Sequence, residues 1–324
     1  MKKVVIGIFL AMLLLIIVML GYVKTALPNV GEAPDLTVVP TPEKVARGEY
    51  LANHVAVCID CHSTRDWSKY AGPPMEGTFG KGGEVFDERF GFPGKYTSKN
   101  ITPYGIGDWT DGEVFRAITT GVDRDGNALF PIMPAHYYGQ MDKNDIECII
   151  AYIRTLDPVE FEPEASKSNF PMNFIINTIP HSATFTDLPP ATDSLAYGKY
   201  VITSAGCVEC HSQVNKGQII PGKEYGGGRP FPMGGGKVVV SANITPDKET
   251  GIGNWTKEAF IQLFRSHADS VSLNTTLAEG ANNTVMPWTM YAGMTDQDLG
   301  AIYDYLQSIA PITNKVEKFK TVAE

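Results

Sequence analysis

The pentapeptide Cys58-Ile59-Asp60-Cys61-His62 returns as Cys207-Val208-Glu209-Cys210-His211, and the two copies take four of the five cysteines of this 324-residue chain. Whatever the chain folds into must therefore present the same two thiols and the same imidazole twice. Cysteines three residues apart sit one helical turn apart, so each can add across a vinyl group of one macrocycle while the adjacent imidazole reaches its iron. C-x-x-C-H is the attachment signature of c-type haem. Two covalently bound haem c groups are expected, one held by Cys58, Cys61 and His62 and the other by Cys207, Cys210 and His211.

Plainer uses of paired cysteines fit less well. A four-cysteine zinc site separates its pairs by about 15 to 20 residues, whereas here the gap runs from Cys61 to Cys207. A thioredoxin-like redox pair needs a βαβ setting and leaves the following histidine unexplained in both copies. The fifth cysteine, Cys148, lies within an apolar helical stripe and reads as a packed free thiol.

Met1-Lys2-Lys3 precedes an uncharged apolar run from Val4 to Val23, long enough to span a bilayer as a helix. Lys24-Thr25-Ala26-Leu27-Pro28 makes a poor cleavage site, so an uncleaved anchor over residues 1–24 is expected, with the basic N-terminus on the cytoplasmic side. Everything after it would then be exported, which suits a chain whose haem is attached outside the cytoplasm. The expected location is the bacterial inner membrane, single-pass, with the haem units in the periplasm. Residues 25–40, rich in proline and small or polar residues, read as a tether. A formal charge of −9 argues against nucleic acid as a partner and suits a redox partner with a basic or mixed patch.

About 300 residues remain, enough for two domains, and an internal repeat divides them. Arg47-Gly48-Glu49-Tyr50-Leu51 answers Tyr197-Gly198-Lys199-Tyr200-Val201. Asn100-Ile101-Thr102-Pro103 answers Asn243-Ile244-Thr245-Pro246, and Gly105-Ile106-Gly107-Asp108-Trp109 answers Gly251-Ile252-Gly253-Asn254-Trp255. Met133-Pro134 answers Met286-Pro287. From the haem motif onward the offset drifts only through 149, 143, 146 and 153, the mark of one order of parts with small loop insertions.

Three helices are predicted in each unit: one from Thr41-Pro42 or from near Asp193 to the haem motif, one after each tryptophan, and one closing the unit. Thr110 with Glu113, and Thr256, cap the middle helices. Ile146, Ile149, Ile150 and Ile153 correspond to Leu299, Ile302, Tyr303 and Leu306, one buried face at helical spacing. Asp142 and Asp145 are expected to cap the first closing helix, and Thr295 with Asp298 the second. These signals place unit 1 at 41–158, a linker at 159–190, unit 2 at 191–315 and a tail at 316–324. The linker should be ordered, because Phe170, Phe174, Ile175 and Ile176 would be wasted in a free one.

The other axial position on each iron separates electron transfer from catalysis. Met133 and Met286 are the expected ligands: each is followed by proline and precedes its closing helix by the same distance, and a thioether suits iron in both oxidation states. Met141 and Met294 also correspond, at helix edges where packing is the expected role. His136 is close to Met133 in sequence, but its counterpart is Thr289. Trp109 and Trp255 are read either as hydrogen-bond donors to a haem propionate or as packing against the ring edge.

With these residues in place the chain resembles the class I dihaem cytochromes c, in particular the cytochrome subunits of membrane-bound alcohol and sugar dehydrogenases. Asn243-Ile244-Thr245-Pro246-Asp247, Gly251-Ile252-Gly253-Asn254-Trp255 and Met286-Pro287-Trp288 carry the resemblance, together with Tyr291, Met294-Thr295 and Asp298-Leu299. It implies an all-α fold of two tandem cytochrome c-like domains behind a transmembrane helix. It also implies haem held by Cys58, Cys61, His62 and Met133, and by Cys207, Cys210, His211 and Met286. The expected role is an electron carrier, not an enzyme, working between a dehydrogenase or quinol-oxidising complex and a terminal acceptor. A dihaem subunit of a haem-copper oxidase and a dihaem cytochrome c peroxidase are the alternatives. The peroxidase needs one iron with an open sixth position, against which the intact Met-Pro of both units speaks.

Overall fold

Each unit opens on a capped helix. In the computed structural model, which describes residues 1–268 and 275–321, Thr41 accepts from the Lys44 amide at 3.3 Å and Pro42 occupies the first turn of helix Pro42–Tyr50. That helix widens into a π turn over Leu51–Val55. Its counterpart, Ser194–Ser204, is capped by Asp193 on the Ala196 amide at 3.1 Å. The middle helices are Asp111–Thr120, with the full Thr110–Glu113 capping box, and Lys257–Arg265, capped by Thr256. Asp142 caps the closing helix Lys143–Ile153 and Thr295 caps Asp296–Ser308.

The opening and closing helices of each unit cross in contact, and a glycine makes the crossing possible. A Cβ on Gly48 would lie 1.8 Å from the Cys148 carbonyl oxygen, and one on Gly198 would lie 2.0 Å from that of Ala301. Around these crossings Ile146, Ile149, Ile150, Ile153, Leu299, Ile302 and Leu306 are buried in one apolar core that runs through both units.

Asp145 and Asp298 were expected as helix caps, and the structure corrects this. Asp145 receives the Arg47 guanidinium through two hydrogen bonds, at 3.0 and 2.8 Å, and the Tyr200 hydroxyl of the other unit at 2.7 Å. Asp298 receives Tyr197 at 2.7 Å and Tyr50 of the other unit. The amides of Asp142 and Thr295 donate to these same two crossing hydroxyls, each at 3.1 Å. These tyrosine–aspartate contacts from unit 1 to unit 2 are thus mirrored by matching ones in the opposite sense, as at a pseudo-two-fold interface. Local spacing offered the two aspartates a capping role, but the neighbouring unit supplied better donors.

The all-α expectation also fails in part, because among the described residues three small antiparallel sheets accompany the helices. Val85–Phe86, Gly94–Thr97 and Lys167–Ser168 form one, Val214–Asn215 and Gln218–Ile219 a second, and Pro230–Gly234, Lys237–Val240 and Phe319–Thr321 the third. Strands of two to five residues between glycines and prolines are too short to show alternation in sequence. The segment read as a tether lies along unit 1: the Val38 amide donates to Asp111 at 2.8 Å, and the Pro34 carbonyl abuts Gly112. Asn100 donates to the carbonyls of Val159 and Phe161 at 2.8 and 2.9 Å, binding the start of the linker to the same unit.

Helix Lys2–Thr25 stands apart from both units. None of its residues is buried, and it is long and apolar enough to cross a membrane.

Candidate functional site

A left-handed residue breaks each opening helix just before its cysteines. Val57 has φ +46° and Gly206 φ +63°, after which Cys58–Cys61 and Cys207–Cys210 each form a single helical turn. The turn sets the two sulfurs of each motif side by side. Glycine takes the left-handed conformation freely, whereas β-branched Val57 holds it at a cost of about 1–2 kcal/mol. The strain persists because packing against the core holds Val57 in place.

Both imidazoles are oriented by one device. Among the described residues His62 Nδ1 has one partner, the Lys99 carbonyl at 2.6 Å, and His211 Nδ1 has the Ala242 carbonyl at 2.7 Å. A carbonyl only accepts, so Nδ1 carries the proton and Nε2 presents a lone pair to a metal. Burial pushes both imidazoles toward the neutral form that such a ligand needs.

The motif Asn-Ile-Thr-Pro explains why those carbonyls are where they are. The Oδ1 atoms of Asn100 and Asn243 accept from Thr102 and Thr245 through backbone N–H at 3.0 Å and hydroxyl at 2.7 Å. Asn243 Nδ2 also donates to the Ile312 carbonyl at 2.6 Å. The residue before each asparagine therefore offers its carbonyl to the histidine. Gly82 and Gly227 return the chain beneath, donating to the carbonyls of His62 and His211 at 2.9 and 2.7 Å.

Cys58, Cys61, His62, Met133 and Trp109 line one cavity of about 2890 Å³, which continues into unit 2 past Cys210, Pro287 and Tyr291. Met133 and Met286 begin matching turns, their carbonyls accepting from the amides of Ala135 and Trp288 at 2.8 Å. Met286 is half-buried against the apolar core. Met141 and Met294 are each only 1% exposed, deep in that core. His136 also lines the cavity, with Nε2 at 3.4 Å from Glu209 of the second motif. The Trp109 ring lies under the Lys99 ammonium at 5.3 Å, while Trp255 is half-exposed and its carbonyl accepts from Tyr303.

Sequence reasoning singled out Tyr291 but not its match with Tyr138 near the cysteines. The hydroxyls of Tyr138 and Tyr291 donate to the carbonyls of Ala56 and Ala205, both at 2.7 Å and both buried. They tie each Met-Pro segment to the residues just before the cysteines. The repeat offset of 153 that relates Met133 to Met286 relates these tyrosines as well.

The donor set suits covalent haem. Burial raises Cys58, Cys61 and Cys207 to about 12, and Cys210 in the same direction, so all four are thiols at neutral pH. None is in a disulfide, and among the described residues no three His, Cys, Asp or Glu side chains converge as a bare-ion site. Cys58, Cys61 and His62 line one cavity, and these residues would hold a haem there.

Residues 195–310 match the family model for cytochrome c. This part of the chain is a cytochrome c domain. Its family holds haem c covalently and uses the iron in electron transport. Over 283 residues the chain is 28% identical to the cytochrome c subunit of the quinone-dependent alcohol dehydrogenase of Komagataeibacter europaeus, an alignment covering 83% of this chain and 56% of that one. It is 26% identical over 311 residues to the fructose dehydrogenase cytochrome subunit of Gluconobacter japonicus, with coverages of 88% and 57%. It thus spans just over half the length of these dehydrogenase subunits. A dihaem c-type cytochrome of Cereibacter sphaeroides is 26% identical over 267 residues, covering 79% of this chain and 82% of that one. All three alignments are longer than the cytochrome c domain, so the similarity extends beyond unit 2.

Proposed function

We propose that this protein is a membrane-anchored dihaem c-type cytochrome that relays electrons from a dehydrogenase or quinol-oxidising complex to a terminal acceptor. The observation that carries the reading is the duplication of the whole constellation, not of the cysteines alone. Left-handed break, cysteine turn, Nδ1–carbonyl bond, Asn-Ile-Thr-Pro brace and tyrosine-tied Met-Pro turn all recur in register. A degenerate second copy would have lost some of these parts. The relatives named as cytochrome subunits of dehydrogenases support a dehydrogenase as donor.

When bound, haem c supplies a ferric/ferrous couple. In this reading Cys58 and Cys61, or Cys207 and Cys210, hold the macrocycle by its edge. His62 and His211 present Nε2, their rings kept from turning by the Nδ1–H bonds. Met133 and Met286 would each hold a haem through a thioether, which would favour the ferrous state and raise the potential. Ligands already held in place move little between oxidation states, which keeps the reorganisation accompanying electron transfer small. A haem held by both a histidine and a methionine would leave no place for a substrate, as befits a carrier. Helix Lys2–Thr25 anchors the protein in the bacterial inner membrane with both haem units in the periplasm.

The test is the haem content of the exported protein. Intact mass should exceed that of the polypeptide by two haem groups that acid acetone does not extract, and Cys207→Ala with Cys210→Ala should remove one of them. A wild-type mass with a single haem would refute the dihaem reading.

A further inference from the structure

Helix Lys2–Thr25 ends against the linker. The Lys24 ammonium donates to the Asn173 carbonyl at 2.6 Å and lies 5.0 Å from the centre of the Phe174 ring, and Asn177 donates to the Val23 carbonyl at 3.1 Å. A helix of 24 residues is about 36 Å long, against about 30 Å of bilayer hydrocarbon. Its C-terminal turn, with exposed Tyr22 and Lys24, therefore lies among the headgroups, where aromatic and basic side chains favour the boundary. Whatever touches Val23 and Lys24 shares that depth.

The touching segment is apolar and partly exposed, with Ile175 and Ile176 along the cavity and Phe170 outside it. Phe170 is 81% exposed, the largest apolar exposure outside the N-terminal helix among the described residues, and Ile175 is 43% exposed. Phe170 meets Phe174 edge to face at 6.4 Å, and Phe174 and Ile176 are themselves only half-buried. Facing water, such side chains would lose the stabilisation that burial brings, roughly 1.5–3 kcal/mol for a large apolar residue. At the boundary of headgroups and acyl chains they regain much of it.

We propose that Phe170–Ile176 is a second membrane contact, resting on the bilayer surface where the N-terminal helix leaves it. This rests on reading residues 1–24 as an anchor. A single spanning helix lets a soluble domain tilt and swivel, whereas a second contact beside it restricts both. The cavity lined by Cys58, Cys61 and His62 also reaches Lys24, Asn173 and Ile176, so this contact lies beside the first cysteine motif.

The full-length, haem-loaded protein in nanodiscs of phosphatidylethanolamine and phosphatidylglycerol tests this, with a phospholipid carrying a photoreactive diazirine near the top of its acyl chain. After illumination, mass spectrometry should locate lipid adducts on residues 2–25 and on 170–176, with residues 182–190 as background. F170S with I175S should reduce adducts on 170–176 about fivefold or more while sparing those on 2–25. Adducts on 2–25 with only background on 170–176 would overturn the proposal and leave the anchor intact. Background labelling of both segments would overturn the anchor reading and the proposal with it.

Discussion

The Tyr200 hydroxyl donates to the Asp145 carboxylate of the other unit at 2.7 Å, and Tyr50 returns the same contact to Asp298. Each aspartate also has a partner within its own unit, Arg47 or Tyr197. Four side chains from two helix pairs thus meet around two buried carboxylates. A carboxylate there is stable only while its donors stay in place.

Tyr200→Phe should therefore destabilise the protein by about 1.5–3 kcal/mol, the range for a hydrogen bond to a charged group. Tyr50→Phe should cost a similar amount. Because the interface is shared, denaturant should unfold both units in one transition in the parent protein. The Soret band together with far-ultraviolet circular dichroism checks this. Two well-separated transitions in the parent would contradict a shared core.

Gly48→Ala and Gly206→Ala separate two reasons for a glycine. At Gly206 nothing lies within 4 Å of an added Cβ, so the cost is conformational only, about 1–2 kcal/mol for the left-handed backbone. At Gly48 the added atom would meet the Cys148 carbonyl at 1.8 Å, which forces the helices apart. Gly48→Ala should lose about 3 kcal/mol or more, or fail to accumulate haem-loaded protein, in line with overpacking of a close contact. Equal melting temperatures for the two variants would reject the crossing.

If Met133 and Met286 are axial ligands, the oxidised protein should show the weak far-red sulfur-to-iron charge-transfer band. Met286→His should remove roughly half of it and lower the potential of that haem, since imidazole favours the ferric state more than a thioether does. Met294→Leu should leave the band unchanged, because Met294 is enclosed in the core at 1% exposure. Optical redox titration of the three proteins decides the point. A full band in Met286→His would reject the ligand.

Much of this protein was legible as text. The doubled C-x-x-C-H, the repeated Asn-Ile-Thr-Pro and Met-Pro, and the isoleucine face matched by Leu299, Ile302 and Leu306 located the helices and the candidate ligands. These features are local: a helical turn spaces the cysteines, and a 3.6-residue period exposes a buried face wherever the rest of the chain lies. Asp145 and Asp298 were legible only as helix caps, because their cross-unit donors, Tyr200 and Tyr50, lie 55 and 248 residues away. The short strands escaped notice for a related reason, since two residues of strand acquire meaning only from a partner such as Lys167–Ser168 against Gly94–Lys95. The sequence by itself determined two C-x-x-C-H motifs, their helices and an apolar N-terminal segment. Tertiary structure alone decided that the two units share one core across a pseudo-two-fold interface, because that depends on which donors reach a buried carboxylate after the chain has folded back on itself.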